Sequence, residues 1–263
     1  PIFPLHTWML RVHVQAPTPL VMLHAGVLLK IGAYGIIRFG MGIFPDQFKE
    51  ITYYLMIVGV INLLYGAFLA FVQKDFKMVL AYSSISHMGI VLIGIGVLNE
   101  AGLQGAIFQV VSHGLIAALL FFIVGIIYER EHTSQLEKLR GMTKRAPIMA
   151  GFLLTVGLAS LGLPGMSGFM SEFMVFLGLF QKNPILGAVA SLGLIMTVVY
   201  VLRAILAIVY GESKLSSTDD VRTGEWIPLL VLTGFIIAIG VYPALLTEVL
   251  NETIQLMLLR MGG

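Results

Sequence analysis

The chain has 263 residues, of which 58% are hydrophobic and only 11% charged; soluble globular domains carry charge on about 25% of their residues, so a soluble domain is excluded. Its 16 Lys+Arg against 14 Asp+Glu leave no basic face for nucleic acid, and the mean hydropathy of +0.94 belongs to a chain dissolved in lipid. With no cysteine there is no disulfide framework, thiol nucleophile or Cys-ligated metal or iron–sulfur site.

A spanning helix takes about 20 apolar residues. Seven apolar stretches follow in order, over 19–39, 51–72, 78–97, 103–128, 147–181, 186–209 and 227–247. The expected fold is all-α, a polytopic membrane helix bundle of about seven transmembrane helices in a single domain over residues 1–263. Pro1 and the apolar PIFPLHTW are expected to continue a longer protein, and no signal sequence is read at the start. His6, Arg11 and His13 then fall in a connection read as solvated. The first span holds His24, read as structural or loop-facing, and Lys30 near its middle, six residues on and off the same face. Asp75 and Lys77 stand at the start of the third span, where Lys77 is read as snorkelling to the surface. His87 lies in mid-span among Ser83, Ser84 and Ser86, which are read as holding water or orienting the ring. On the fourth span Gln109 and His113 are four apart and share a face. The charge run from Glu129 to Arg145 is read as a solvated loop.

The fifth stretch is longer than one span needs and contains Leu163-Pro164-Gly165. Proline lacks the N–H and clashes with the preceding turn, so the helix is expected to break there. Irregular backbone at membrane depth persists only inside protein or along a wet cavity. Glu172, just beyond, is the only carboxylate well inside a span. Arg203 sits about six residues inside the sixth span, within snorkelling reach of its end.

With spans alternating sides, one side carries Arg11, Lys74, Lys77, Arg130, Lys138, Arg140, Lys144, Arg145, Arg203, Lys214 and Arg222. The other carries only Arg38, Lys49, Lys182 and Arg260. This asymmetry predicts a cytoplasmic N-terminal connection and 129–145 loop, with the C-terminus on the opposite side.

An ionisable group at mid-bilayer costs about 2.5–3.5 kcal/mol on insertion scales. Lys30, His87, His113 and Glu172, one on each of four helices, therefore stand out. Imidazole takes and gives a proton near neutral pH, and amine and carboxylate complete a set suited to proton movement, read in the order Glu172, His113, His87, Lys30. The bland alternative is a membrane scaffold whose buried charges are ion pairs. No phosphate loop, metal cluster or hydrolytic triad accompanies the set, so neither a cofactor nor a metal is expected in this chain.

Pro4-Leu5-His6-Thr7-Trp8, His13-Val14-Gln15-Ala16-Pro17-Thr18-Pro19 and Ala25-Gly26 through Lys30 to Tyr34-Gly35 come in order. Ala81-Tyr82-Ser83-Ser84-Ile85-Ser86-His87-Met88-Gly89 and Leu163-Pro164-Gly165 through Ser171-Glu172-Phe173-Met174 follow. Together these blocks resemble the antiporter-like, proton-translocating subunits of respiratory complex I (NADH:quinone oxidoreductase), nearest the bacterial M type. The resemblance covers most of the chain and weakens after about residue 210. It implies fourteen helices with two inverted repeats of five, of which this chain supplies the last seven. It assigns Lys30 to the central lysine of the eighth helix, His87 and His113 to a water-filled axis, and Glu172 to the second broken helix. A lysine on the first broken helix and its glutamate partner would precede Pro1. Where many members have Leu-Pro-Asp after the Trp, this chain has Met9-Leu10-Arg11, a basic group in place of an acidic one. The resemblance implies other membrane subunits of complex I as partners, besides the lipid bilayer and without nucleic acid, in a bacterial plasma membrane. The D-type member of an Mrp sodium/proton antiporter, or the matching component of a membrane-bound hydrogenase, shares the same fold and polar axis.

Overall fold

In the computed structural model, residues 1–212 and 219–261 are described; Lys214, counted above among the basic residues of one side, lies outside them. The helices are α1 (Thr7–Gln15), α2 (Thr18–Met41), α3 (Pro45–Val72), α4 (Phe76–Val97), α5 (Glu100–Glu131), α6 (Pro147–Ser160), α7 (Ser167–Lys182), α8 (Pro184–Val209), α9 (Trp226–Val241) and α10 (Ala244–Arg260). Among the described residues six helices are long and apolar enough to cross a membrane, and α6 is a shorter apolar one. The polytopic bundle read from the sequence is thus present, with α6 and α7 forming the broken passage.

Local chemistry sets the boundaries. Proline opens α3, α6 and α8, where its missing N–H has no intrahelical partner to lose. Asp75, Asn99 and Asn183 cap α4, α5 and α8 by accepting from the backbone N–H of Met78, Gly102 and Leu186 at 3.2, 2.8 and 3.1 Å. Between α6 and α7 the chain turns through Gly162 and Gly165, at φ +78° and +90°, on either side of Pro164. The break is covered by α9: a Cβ on Gly240 would lie 2.6 Å from the Gly165 carbonyl. Irregular backbone is thereby kept inside protein.

The connections sort onto two ends of the bundle as alternation requires. At one end Phe76 N–H donates to Ser134 O at 2.7 Å and Leu136 N–H to Lys74 O at 2.9 Å. Thr143 donates to Val209 O at 2.9 Å, and Arg130 pairs with Glu225 at 2.6 Å. At the other end Asn99 donates to Gly178 O at 3.0 Å. The connections that carry Lys74, Lys77, Arg130, Lys138, Arg140, Lys144, Arg145 and Arg222 therefore meet at one end.

Three local readings need correction. The segment with His6 and His13 is a packed helix with His6 at its N-cap, and the two histidines are 2% and 1% exposed, because Met9 and both rings face the bundle while Thr7, Trp8, Arg11 and Gln15 point out. The 129–145 segment is not merely solvated: Leu136, Leu139 and Met142 are buried, and Arg145 pairs with Glu131 at 2.6 Å. Lys77, half-buried at the end of its span, adds to the snorkelling expected of it a cation–π contact, 3.6 Å over the exposed Tyr128 ring. The seventh span stops at Val241, where Pro243 cannot continue the hydrogen-bond ladder, and a separate helix α10 follows. Arg203 behaves as expected, reaching the carbonyls of Phe71 and Gln73 at the end of α3.

α4 is the best-buried span. Its approach to α3 is as close as backbones allow: a Cβ on Gly89 would stand 2.6 Å from Gly59 O and Leu63 N, and one on Gly66 2.5 Å from Ser86 N. Small residues at such crossings replace the hydrophobic drive that lipid does not supply. This tight seam fixes α4, and with it His87.

Candidate functional site

Each of the four predicted residues is carried by a different helix, α2, α4, α5 or α7, and all four are buried: Lys30 5%, His87 4%, His113 4% and Glu172 8% exposed. They meet in the middle of the bundle.

Lys30 is aimed by an irregularity in its own helix. Residues His24–Leu28 form a π-helical turn, a feature that shifts carbonyl register and often marks a functional position. Lys30 Nζ donates to the Ala25 carbonyl within that turn. The same Nζ lies 2.8 Å from His113 Nδ1. α2 can come this near because Gly26 and Gly114 cross; a Cβ on Gly114 would be 2.8 Å from Gly26 O.

From His113 the line passes to His87, the ring centroids 5.3 Å apart at 50°. His87 Nδ1 then lies 3.5 Å from Glu172 Oε1. The observed order is therefore Lys30, His113, His87, Glu172, with the two histidines exchanged relative to the order expected from the sequence. Depth along a helix does not say which helix stands nearest which. Between His87, Gln109, His113 and Glu172 there is a pocket of about 10 Å³, close to the least that takes one water.

Both ends of the line open outward. Lys30 borders a 640 Å³ cavity with Met22, Val27, Val110 and Leu232. Glu172 borders one of 350 Å³ with Gly162, Phe169, Phe173 and Leu194. The polar path runs across the bundle from one flank to the other, with apolar walls.

The serines beside His87 do not serve it. Ser83 and Ser84 donate back to Leu80 O at 2.8 and 3.1 Å, and Ser86 donates to Leu63 O at 2.9 Å. They satisfy helix carbonyls and tie α4 to α3. The groups that do touch the line are Gln109 and Ser171. Gln109 Nε2 is 3.4 Å from His87 Nδ1, and its Oε1 accepts from the Ser171 hydroxyl. Ser112 donates to Ser167 at 2.8 Å beside them. Ser171 and Ser167 are absent from the sequence-based candidates, although their spacing of four on α7 faces the Gln109/His113 pair on α5 and is a readable polar stripe.

Of the two places expected for it, His24 takes the structural one, buried at 7% exposure. Its ring stacks edge-on against Trp8 at 5.5 Å and His13 at 4.9 Å, so it joins α1 to α2. Among the described residues no group of His, Asp or Glu is arranged to hold a metal.

A family model described as "NADH:quinone oxidoreductase/Mrp antiporter, TM" matches residues 1–198. The chain belongs to that family. The matched stretch takes in all four residues of the buried line and stops short of α9 and α10. Among the family's curated members, NAD(P)H-quinone oxidoreductase chain 4 2 of Thermosynechococcus vestitus is 44% identical over 96% of this chain and 50% of its own length. NADH-quinone oxidoreductase subunit M of Rickettsia prowazekii is 39% identical over 99% of this chain and 54% of its own length. This family chain thus spans about half the length of the curated relatives it matches. It is also similar to a chain of respiratory complex I from Thermus thermophilus, solved with bound NADH, at a TM-score of 0.94 and 33% identity, covering 100% of this chain and 56% of that one.

Proposed function

We propose that this chain is the C-terminal part of the M-type, non-redox, proton-translocating subunit of a bacterial NADH:quinone oxidoreductase. The observation that carries the reading is the buried line Lys30–His113–His87–Glu172, with contacts of 2.8 and 3.5 Å at its two ends, the two rings 5.3 Å apart between centroids, and a pocket the size of one water beside them. A proton passes from the Lys30 amine to His113 through their hydrogen bond. It crosses to His87 by way of a water, and leaves toward Glu172. No covalent step and no redox group in this chain is needed; electrons move in other subunits. Changes of charge at either flank, where the cavities open, drive the line electrostatically.

The basic asymmetry of the connections supports a multi-pass placement in the plasma membrane, with the N-terminal segment and the 129–145 loop cytoplasmic and the C-terminus opposite. Its partners are the other membrane subunits of the complex and lipid, not nucleic acid. The D-type member of an Mrp antiporter and its counterpart in a membrane-bound hydrogenase form the rival reading, since the family name covers antiporters as well. The identity of 39–44% to quinone-oxidoreductase chains favours the first.

The test is Lys30→Ala or Glu172→Ala in the full-length protein within its complex, reconstituted in vesicles. Proton pumping is expected to fall to background while the complex still assembles. Normal pumping in both variants overturns the reading. Sodium-dependent transport without NADH oxidation transfers the chain to the antiporters.

A further inference from the structure

His87 Nδ1 is addressed by two groups with opposite demands. Gln109 Nε2, a donor, stands 3.4 Å away, and Glu172 Oε1, an acceptor when ionised, stands 3.5 Å away. One ring nitrogen cannot meet both. With its proton on Nε2 the ring offers a bare Nδ1 to the amide and none to the carboxylate; with a proton on Nδ1 it bonds Glu172 and faces the amide hydrogens with a hydrogen of its own.

The amide resolves the conflict by turning over. Its oxygen is held by the Ser171 hydroxyl, and a hydroxyl donates or accepts equally well. Ser171 has the Gly168 carbonyl at 2.8 Å as a second acceptor for its proton. When the amide is flipped, Gln109 Oε1 accepts from a protonated His87 Nδ1, its NH₂ donates to Ser171, and Ser171 donates to Gly168. Gln109 and Ser171 are paired in both settings, whereas the first leaves His87 Nε2 and Glu172 Oε1 without a partner and the second offers the Nδ1 hydrogen to Gln109 Oε1 with Glu172 Oε1 beside it. All three side chains are buried, Gln109 2%, Ser171 0% and His87 4% exposed, so water cannot substitute for a lost partner without cost.

We propose that Gln109, seated by Ser171, is a positioning residue that selects the tautomer of His87 and so decides when that ring connects to Glu172. In the resting setting the amide holds Nδ1 bare and the line is open at the Glu172 end. Arrival of a proton on His87 flips the amide, which takes the opposing amide hydrogens away from Nδ1 and leaves its hydrogen shared between two acceptors, Gln109 Oε1 and Glu172 Oε1, so that the link closes. The inference rests on the proton-line reading above and adds to it a step that controls direction.

The experiment uses the full-length protein in its complex, with ¹⁵N-labelled histidine, in lipid bilayers. Wild-type His87 is expected to show an unprotonated Nδ1 by solid-state ¹⁵N NMR while the ring is neutral. Gln109→Met keeps the length and removes the amide; the ratio of the two neutral tautomers should shift about fivefold toward Nδ1–H, the worth of one neutral hydrogen bond, and pumping should fall. Ser171→Ala leaves Gln109 in place but unseated, and should shift the ratio the same way by a smaller factor. A His87 tautomer ratio unchanged in both variants, or a protonated Nδ1 in the wild type, overturns the inference. If Lys30→Ala abolishes pumping while Gln109→Met retains it, the proton line stands and only this selection step fails.

Discussion

The seam between α3 and α4 makes a quantitative demand. Gly66→Ala adds one methyl whose carbon would sit 2.5 Å from the backbone N of Ser86 and 2.9 Å from Tyr82 O. Ordinary contact begins at 3.4 Å, so 3.4 Å less 2.5 Å leaves about 0.9 Å by which the helices must part, and the obstacle is backbone that no rotamer change removes. Overpacking of this kind costs about 1–3 kcal/mol. Gly151→Ala on α6 is the matched control: nothing lies within 4 Å of its Cβ, and exchanging a helical glycine for alanine gains about 0.5–1 kcal/mol from backbone entropy. Thermal unfolding of the two full-length variants in detergent should therefore diverge, Gly66→Ala falling and Gly151→Ala holding or rising. Because Ser86 precedes His87, proton pumping should drop in Gly66→Ala and not in Gly151→Ala. Equal stability of the two variants would refute the reasoning that this seam positions the axis.

Three other substitutions probe separate features. Gly162→Ala forces an alanine to φ +78°, at about 1–2 kcal/mol, and puts a Cβ 2.9 Å from Glu172 Oε2; vesicle assays should show slowed pumping with the complex intact, and unaltered turnover would remove the break from the site. Arg130→Ala leaves Glu225, 2.6 Å from the lost guanidinium, half-buried and uncompensated, so the segment ahead of α9 should loosen by about 2 kcal/mol or more, visible as faster proteolysis after residue 219. Asp75→Ala removes both the α4 cap and the acceptor of the Ser134 hydroxyl; a loss of about 1–2 kcal/mol should appear as a lower melting temperature, and no change would mean that the cap is redundant.

Much of this is legible in order along the chain. Apolar length gives the spans because lipid offers no partner for backbone groups, and Pro164 gives the break because it lacks the N–H and clashes with the preceding turn. Lys30 and Glu172 announce themselves as charges too deep to reach water. The misreadings share one cause. Whether His6 and His13 are solvated and whether Ser83, Ser84 and Ser86 serve His87 both depend on what packs opposite. A single helix does not encode its neighbour.

The residue types of the line are thus legible in the sequence alone: an amine, two imidazoles and a carboxylate stand on four apolar helices, the set on which the proposed proton path rests. Its order is not. Helix 3.6-residue periodicity fixes which residues share a face, but the crossing of Gly26 with Gly114 brings Lys30 to His113, and the α3–α4 seam sets His87 beside Glu172. Those crossings are decided by where backbones can touch, which is a property of the packed bundle.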